Sequence, residues 1–241
     1  MTDSPVPLVI LGIASALALT SMLAIAWSLA ILRKPRALVR GGYWREAAVA
    51  AARMGESWLR VFPSVREEAA HVRAACLHLE GNLEESLAAC RALRDGALLE
   101  GANLVMLGRD AERAVQRLNA ACASPRSSPE DLLFLALAKH AAGDTAGAAE
   151  TFALVARSRP KGAPSPRVYD PAFRYLRGLY LVDTGRPGDA RHDLEGAAAS
   201  PVATVYVARA RALLASERPT AGDDGDGRSS LTGQVVAPRD A

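Results

Sequence analysis

Leu8 to Leu32 is a run of 25 residues without one charged side chain, and nothing else in the sequence constrains the chain as strongly. At 1.5 Å per residue a helix of that length reaches roughly 37 Å, more than the roughly 30 Å hydrocarbon core of a bilayer. It can span with some tilt. A cleaved signal peptide would need a basic leading segment, a shorter apolar core and a small-residue cleavage site. Met1–Pro7 holds no basic side chain, and the run ends in Arg33-Lys34-Pro35-Arg36. The sequence therefore predicts an uncleaved transmembrane anchor over residues 1–34 that meets the lipid bilayer through residues 8–32. Arg33, Lys34, Arg36, Arg40 and Arg45 follow the span and no basic residue precedes it. The positive-inside rule then places the N-terminus outside and the remaining chain in the cytoplasm.

The span carries no ionisable side chain, which argues against a proton or ion pathway. Gly12, Ala16, Thr20, Ala24 and Ser28 recur every four residues, and all are small. Such a stripe admits close approach of another helix, either a membrane-helix partner or a second copy. Trp27 suits an interfacial position; Tyr43 and Trp44 either share it or pack in the first soluble helices.

Charge argues against nucleic acid. The chain has 29 Lys and Arg against 26 Asp and Glu, and the excess sits beside the span. The remainder is close to neutral, whereas a phosphate-binding surface needs a basic excess. Only three of the basic residues are lysine and alanine is abundant, which looks like a GC-rich bacterial genome, so the span is expected in a bacterial inner membrane. Three cysteines, Cys76, Cys90 and Cys122, are too few for a disulfide-stapled fold and suit a reducing compartment.

From Tyr43 to Glu217 apolar residues recur at three and four, and no run alternates over strand length, so the chain reads as all-α. Ser64-Val-Arg-Glu67 reads as a capping box after Pro63. Ser128-Pro129, Asp170-Pro171 and Ser200-Pro201 read as cap-then-proline starts. Gly81, Gly108, Gly143 and Gly185 each follow a helical stretch and open a second amphipathic one. Gly42 opens a similar phrase. A small residue stands five after most of these glycines: Ala47, Ser86, Ala148 and Ala190. In the Gly108 unit Ala114 comes one residue late. The glycines are 39, 27, 35 and 42 residues apart.

This phrase resembles the tetratricopeptide repeat, a helical pair of about 34 residues. The unit around Gly143 is the fullest match, with Leu132, Leu135, Ala136, Ala148, Phe152 and Pro160 at family positions, and Gly178 fills the small position before Gly185. The resemblance implies an α-solenoid of antiparallel helix pairs over residues 64–218. A juxtamembrane helix over 35–63 would precede it, 201–217 would form a closing helix, and 219–241 would be a disordered tail. The resemblance also implies an inner groove, whose positions are His71, Ala75, His78 and Leu79, then Leu133, Leu137, His140 and Ala141, then Tyr175, Leu179, Val182 and Asp183. Of these, His71, His78, Leu133, Leu137, His140, Tyr175, Leu179 and Asp183 are the candidate partner-binding residues. Relatives that clamp a terminal carboxylate use Lys, Asn and Arg there; this chain has none, so that specificity does not carry over.

No catalytic motif is present: no P-loop, no G-x-S-x-G, no H-E-x-x-H. His71, Cys76 and His78 are the nearest thing to a ligand cluster but lack metal-site spacing. Asp223-Asp224-Gly225-Asp226-Gly227 lacks the closing acid of a calcium loop. The sequence thus predicts a protein that is not an enzyme and needs no cofactor. It reads as a membrane-anchored adaptor or assembly factor that binds protein partners, or else as a structural accessory subunit of a larger membrane complex.

Overall fold

The computed structural model describes residues 19–20, 22, 34–39, 41–123, 127–158 and 169–216. Among them the chain is all-helical. The α-helices are α1 (Trp44–Glu56), α2 (Pro63–Glu80), α3 (Leu83–Arg91), α4 (Ala97–Leu107) and α5 (Ala111–Cys122), then α6 (Pro129–Ala141), α7 (Thr145–Ser158), α8 (Tyr169–Asp183), α9 (Pro187–Ala198) and α10 (Val205–Ser216). A single 3-10 turn, Trp58–Val61, joins α1 to α2. The predicted tail lies outside the described residues. So do the span and its small stripe, apart from residues 19, 20 and 22, which are helical. Among the described residues no helix is long and apolar enough to cross a membrane.

The helices form consecutive hairpins, and one turn builds all of them. Gly42, Gly81, Gly108, Gly143 and Gly185 all have positive φ, between 64° and 94°. In each, the glycine N–H bonds the carbonyl three residues back, and the next N–H bonds the carbonyl five residues behind it, as in Gly81 to His78 and Asn82 to Leu77. This left-handed closure satisfies the last carbonyls of the helix and reverses the chain. A side chain with Cβ would be strained there.

The two helices of a hairpin then touch through small residues. Ala74 and Ser86, Ala136 and Ala148, and Gly178 and Ala190 are each 12 residues apart, and the five of these residues with side chains are fully enclosed. Gly101 and Ala114 are 13 apart; the extra residue is absorbed in the turn, where Asp110 takes φ 46° and caps α5 through Arg113 N–H. The late Ala114 that made this unit irregular in sequence is therefore fully buried like its counterparts. A Cβ on Gly101 would stand 2.5 Å from Leu118, and one on Gly178 would stand 2.9 Å from Leu194. Buried acids add straps: Glu100 holds Arg113 and Arg117 across α4–α5, and Asp193 holds Arg177 across α8–α9.

A fifth hairpin precedes the expected repeats. Residues 34–39 are helical, end at Gly41–Gly42 and pair with α1, and Pro35 and Ala47, again 12 apart, are both fully buried. The predicted 35–63 juxtamembrane helix is thus broken twice, at Gly42 and at the 57–62 turn. Trp44 lies in the core and donates to Ala203 O, whereas Tyr43 is exposed.

Some predicted starts shift. The α2 helix begins at Pro63 after Phe62, so Ser64 lies inside it and makes no cap. Asp170 lies in the first turn of α8 and pairs with Arg174. Ser200-Pro201 stays in the loop, where the Ala203 carbonyl accepts from Trp44, and α10 begins only at Val205. The Ser128-Pro129 start holds, and there a capping box forms, with reciprocal Asp131 and Ser128 bonds.

The first helices α2, α4, α6 and α8 contact one another in order, giving the inner layer of a solenoid-like stack. The stack curls far enough for α10 to lie against both its first member, α2, and its last, α8.

Candidate partner-binding surfaces

The inner face that the resemblance implies is filled by the last helix. Tyr206 of α10 sits among rings from three inner helices, with centroids 5.6 Å from His78, 6.5 Å from Phe134 and 5.9 Å from Tyr175. Arg209, one turn further along α10, donates to the Met106 carbonyl of α4 at 2.6 Å. The last helix therefore touches all four inner helices. Val205, Tyr206, Val207 and Ala210 of this helix are buried.

A buried hydrogen-bond chain fixes it. Tyr206 Oη donates to His78 Nε2 (2.5 Å), and His78 Nδ1 donates to Asn103 Oδ1 (2.8 Å). Asn103 Nδ2 donates to Ser86 Oγ (2.8 Å), and Ser86 Oγ donates to Ala74 O (2.8 Å). Every link pairs a donor with an acceptor when His78 is neutral. Enclosure pushes the His78 imidazole down to about 4, the Asn103 bond opposes this, and Arg209 adds to it, so the ring is neutral at physiological pH.

These observations correct the candidate list. His78, Leu133, Leu137 and Tyr175 are interior residues, 0–4% exposed, and a partner cannot reach them while α10 is seated. His71 and Leu179 are half-buried, and desolvation lowers the His71 imidazole. Tyr206, Phe134 and Asn103 complete the face and were not among the predicted residues. Asn103 had a visible signal, a lone amide inside Ala97-Leu-Leu-Glu-Gly-Ala-Asn-Leu-Val-Met-Leu107. Tyr206 had none, because its partners lie up to 128 residues away.

His140 and Asp183 do come together, on a different surface. They line an open cavity of about 510 Å³ where the α6–α7 and α8–α9 turns meet, with Thr145, Phe152, Tyr180 and Arg186. Phe152 and Tyr180 stack with centroids 4.3 Å apart, and His140 meets Tyr180 edge-on at 6.1 Å. Arg186 is held by Asp189 across the first turn of α9. Partial desolvation raises the Asp183 carboxyl, and His140 pulls it back. Together these supply a carboxylate, an imidazole and an aromatic wall at one opening, a surface suited to a polar or basic side chain of a protein partner.

A larger cleft, about 1190 Å³, lies where the ends of the stack meet. Gly41–Glu46 forms one side; the start of α8, the end of α9 and the 199–203 loop form the other. The Asp170–Arg174 pair lines it, and the Arg45 guanidinium lies 4.9 Å from the centre of the Trp44 ring.

Among the described residues no three His, Cys, Asp or Glu side chains converge as a metal site would require. Cys76 and His78 point to different partners, Cys76 Sγ donating to the Trp44 carbonyl. Burial pushes the Cys76 thiol up to about 12 and the Cys90 and Cys122 thiols up to about 11, so all three are protonated and poorly nucleophilic. No known protein family, curated protein or solved structure matches the chain.

Proposed function

We propose that this chain is a non-catalytic, membrane-anchored adaptor of tetratricopeptide-like hairpins that holds partner proteins at the cytoplasmic face of a bacterial inner membrane. The observation that carries the reading is the junction between anchor and stack. Residues 34–39 already form the leading arm of the first hairpin: Pro35 is fully buried, and Arg36 makes a two-point bond to Glu68 of α2, both contacts at 2.5 Å. The described chain is already helical and packed from residue 34, two residues after the predicted span ends, so a span ending at Leu32 would hold that body close to the bilayer. Leu19 and Met22, 62% and 70% exposed on a helix, suit contact with lipid. The repeated small-residue contacts support the tetratricopeptide resemblance.

Because the inner face is filled, the reading puts the partner at the cavity lined by His140 and Asp183 rather than in the groove. The filled face also favours the second reading, a structural subunit braced within a larger complex, because an open peptide groove is no longer on offer. Photo-crosslinking in intact membranes separates the two. A photoreactive residue at Thr145, beside the cavity, should capture a protein partner, and Asp183→Arg should weaken that capture. Adducts confined to the span, with none at Thr145, would overturn the adaptor reading in favour of the structural subunit.

A further inference from the structure

The first hairpin points an exposed apolar turn back toward the side from which the chain arrives. Residues 34–39 run up to the Gly41–Gly42 turn, and α1 returns antiparallel after a short connection. At 1.5 Å per residue the first segment covers roughly 9 Å and the thirteen residues of α1 roughly 20 Å. The end of α1 therefore lies roughly 10 Å beyond Lys34 on the arrival side. There the chain reads Ser57-Trp-Leu-Arg-Val-Phe62. Val61 is 68% exposed and Phe62 47%, and Arg53, Arg60 and Arg66 around them are exposed.

Hydrogen bonds close the backbone of this turn at both ends. Ser57 Oγ donates to Met54 O at 2.8 Å, Arg60 N–H bonds Ser57 O, and Val65 N–H bonds Phe62 O. A small separate core of Met54, Val65 and Ala69 lies at the α1–α2 junction beneath it. The Arg36–Glu68 pair ties the incoming segment to α2, the helix this turn opens. Apolar tips with a basic rim on a rigid mount are the chemistry of an interfacial anchor. Arginine keeps its charge among headgroups while its stem lies along apolar surface.

We propose that the Trp58–Phe62 turn is a second membrane contact, seating Val61 and Phe62 at the headgroup–acyl boundary beside the span with Arg60 among anionic headgroups. The proposal rests on the reading of residues 8–32 as a span. It makes the domain lie on the bilayer in one orientation rather than stand off from it.

The test uses the full chain, with Cys122→Ser, reconstituted in phosphatidylcholine–phosphatidylglycerol vesicles. An environment-sensitive fluorophore is attached at Val61→Cys or, at the other end of the same hairpin, at Tyr43→Cys. The expected result is a blue-shifted emission at position 61 and several-fold stronger quenching by spin-labelled lipid than at position 43. Equal, weak quenching at both positions in a chain that resists alkaline extraction would overturn the second contact and leave the span standing. A chain released by alkaline extraction would overturn both.

Discussion

At the scale of single residues, His78 and Tyr206 carry the tightest argument. Removing the Tyr206 hydroxyl leaves His78 Nε2 as a buried acceptor without its partner. Tyr206→Phe should therefore cost about 1–3 kcal/mol in a denaturant titration, although the ring still fills its place. The same histidine makes stability depend on pH. Its folded value, about 4, lies below the ordinary 6.5, so the unfolded chain binds the extra proton between those values. Stability contributed by the neutral ring is complete above about pH 6.5 and falls as the pH drops toward 4, by about 3 kcal/mol. His71 is shifted in the same sense, so the comparison is with His78→Gln, whose stability should fall less steeply over that range. An unchanged slope would mean that His78 is already protonated in the folded chain. The tetratricopeptide resemblance pointed to His78 as an inner-face residue, because a repeated hairpin sets which way each helix faces. It did not show that the face is occupied, since Tyr206 reaches it through curvature accumulated over four hairpins.

At the scale of elements, the hairpin is the unit, and close approach of its two helices is its essential contact. Most of this was legible. Glycine ends, the small residue that follows and the Ser128 start are local signals with local physical causes. The Gly108 unit looked irregular only because sequence spacing counts residues, whereas packing needs Ala114 at the contact; a turn with one extra residue delivers it. The first hairpin was hidden because its leading helix begins two residues after the apolar run, which hydropathy assigns to the membrane. Glycine substitutions test the packing directly. Gly101→Ala places a Cβ 2.5 Å from Leu118, a side chain fully enclosed by its neighbours, and Gly178→Ala meets Leu194 at 2.9 Å. The gain in helix propensity is about 1 kcal/mol, and overpacking costs about 1–3 kcal/mol, so both variants should lose stability or at best break even. Gly55→Ala, near the end of α1 with nothing within 4 Å of the added carbon, should gain up to about 1 kcal/mol. Thermal melts of the three variants should split in sign; a common sign would show that the interhelical contacts do not set the spacing.

At the scale of the whole molecule, the described stack curls until its ends meet, Trp44 bonding the Ala203 carbonyl across 159 residues of chain. The last helix fills what an open solenoid would leave as a groove, and the candidate site moves to the edge where turns from neighbouring hairpins converge. If the predicted span also packs laterally through Gly12, Ala16, Thr20, Ala24 and Ser28, Ala16→Leu should abolish co-purification of a membrane partner while Leu17→Ile leaves it intact. Equal retention would make the span a tether and favour the adaptor. Everything in the functional account requires the domain to be fixed to the inner membrane on its cytoplasmic side. Leu154 is exposed on α7, well away from the anchor in sequence, and the native thiols are protonated and largely enclosed. A Leu154→Cys, Cys122→Ser chain treated with a membrane-impermeant maleimide therefore reads out the topology most directly. The predicted result is that the chain stays with the membranes after alkaline extraction, escapes labelling in intact spheroplasts and is labelled on lysis. Labelling in intact spheroplasts, or recovery in the soluble fraction, would contradict the account.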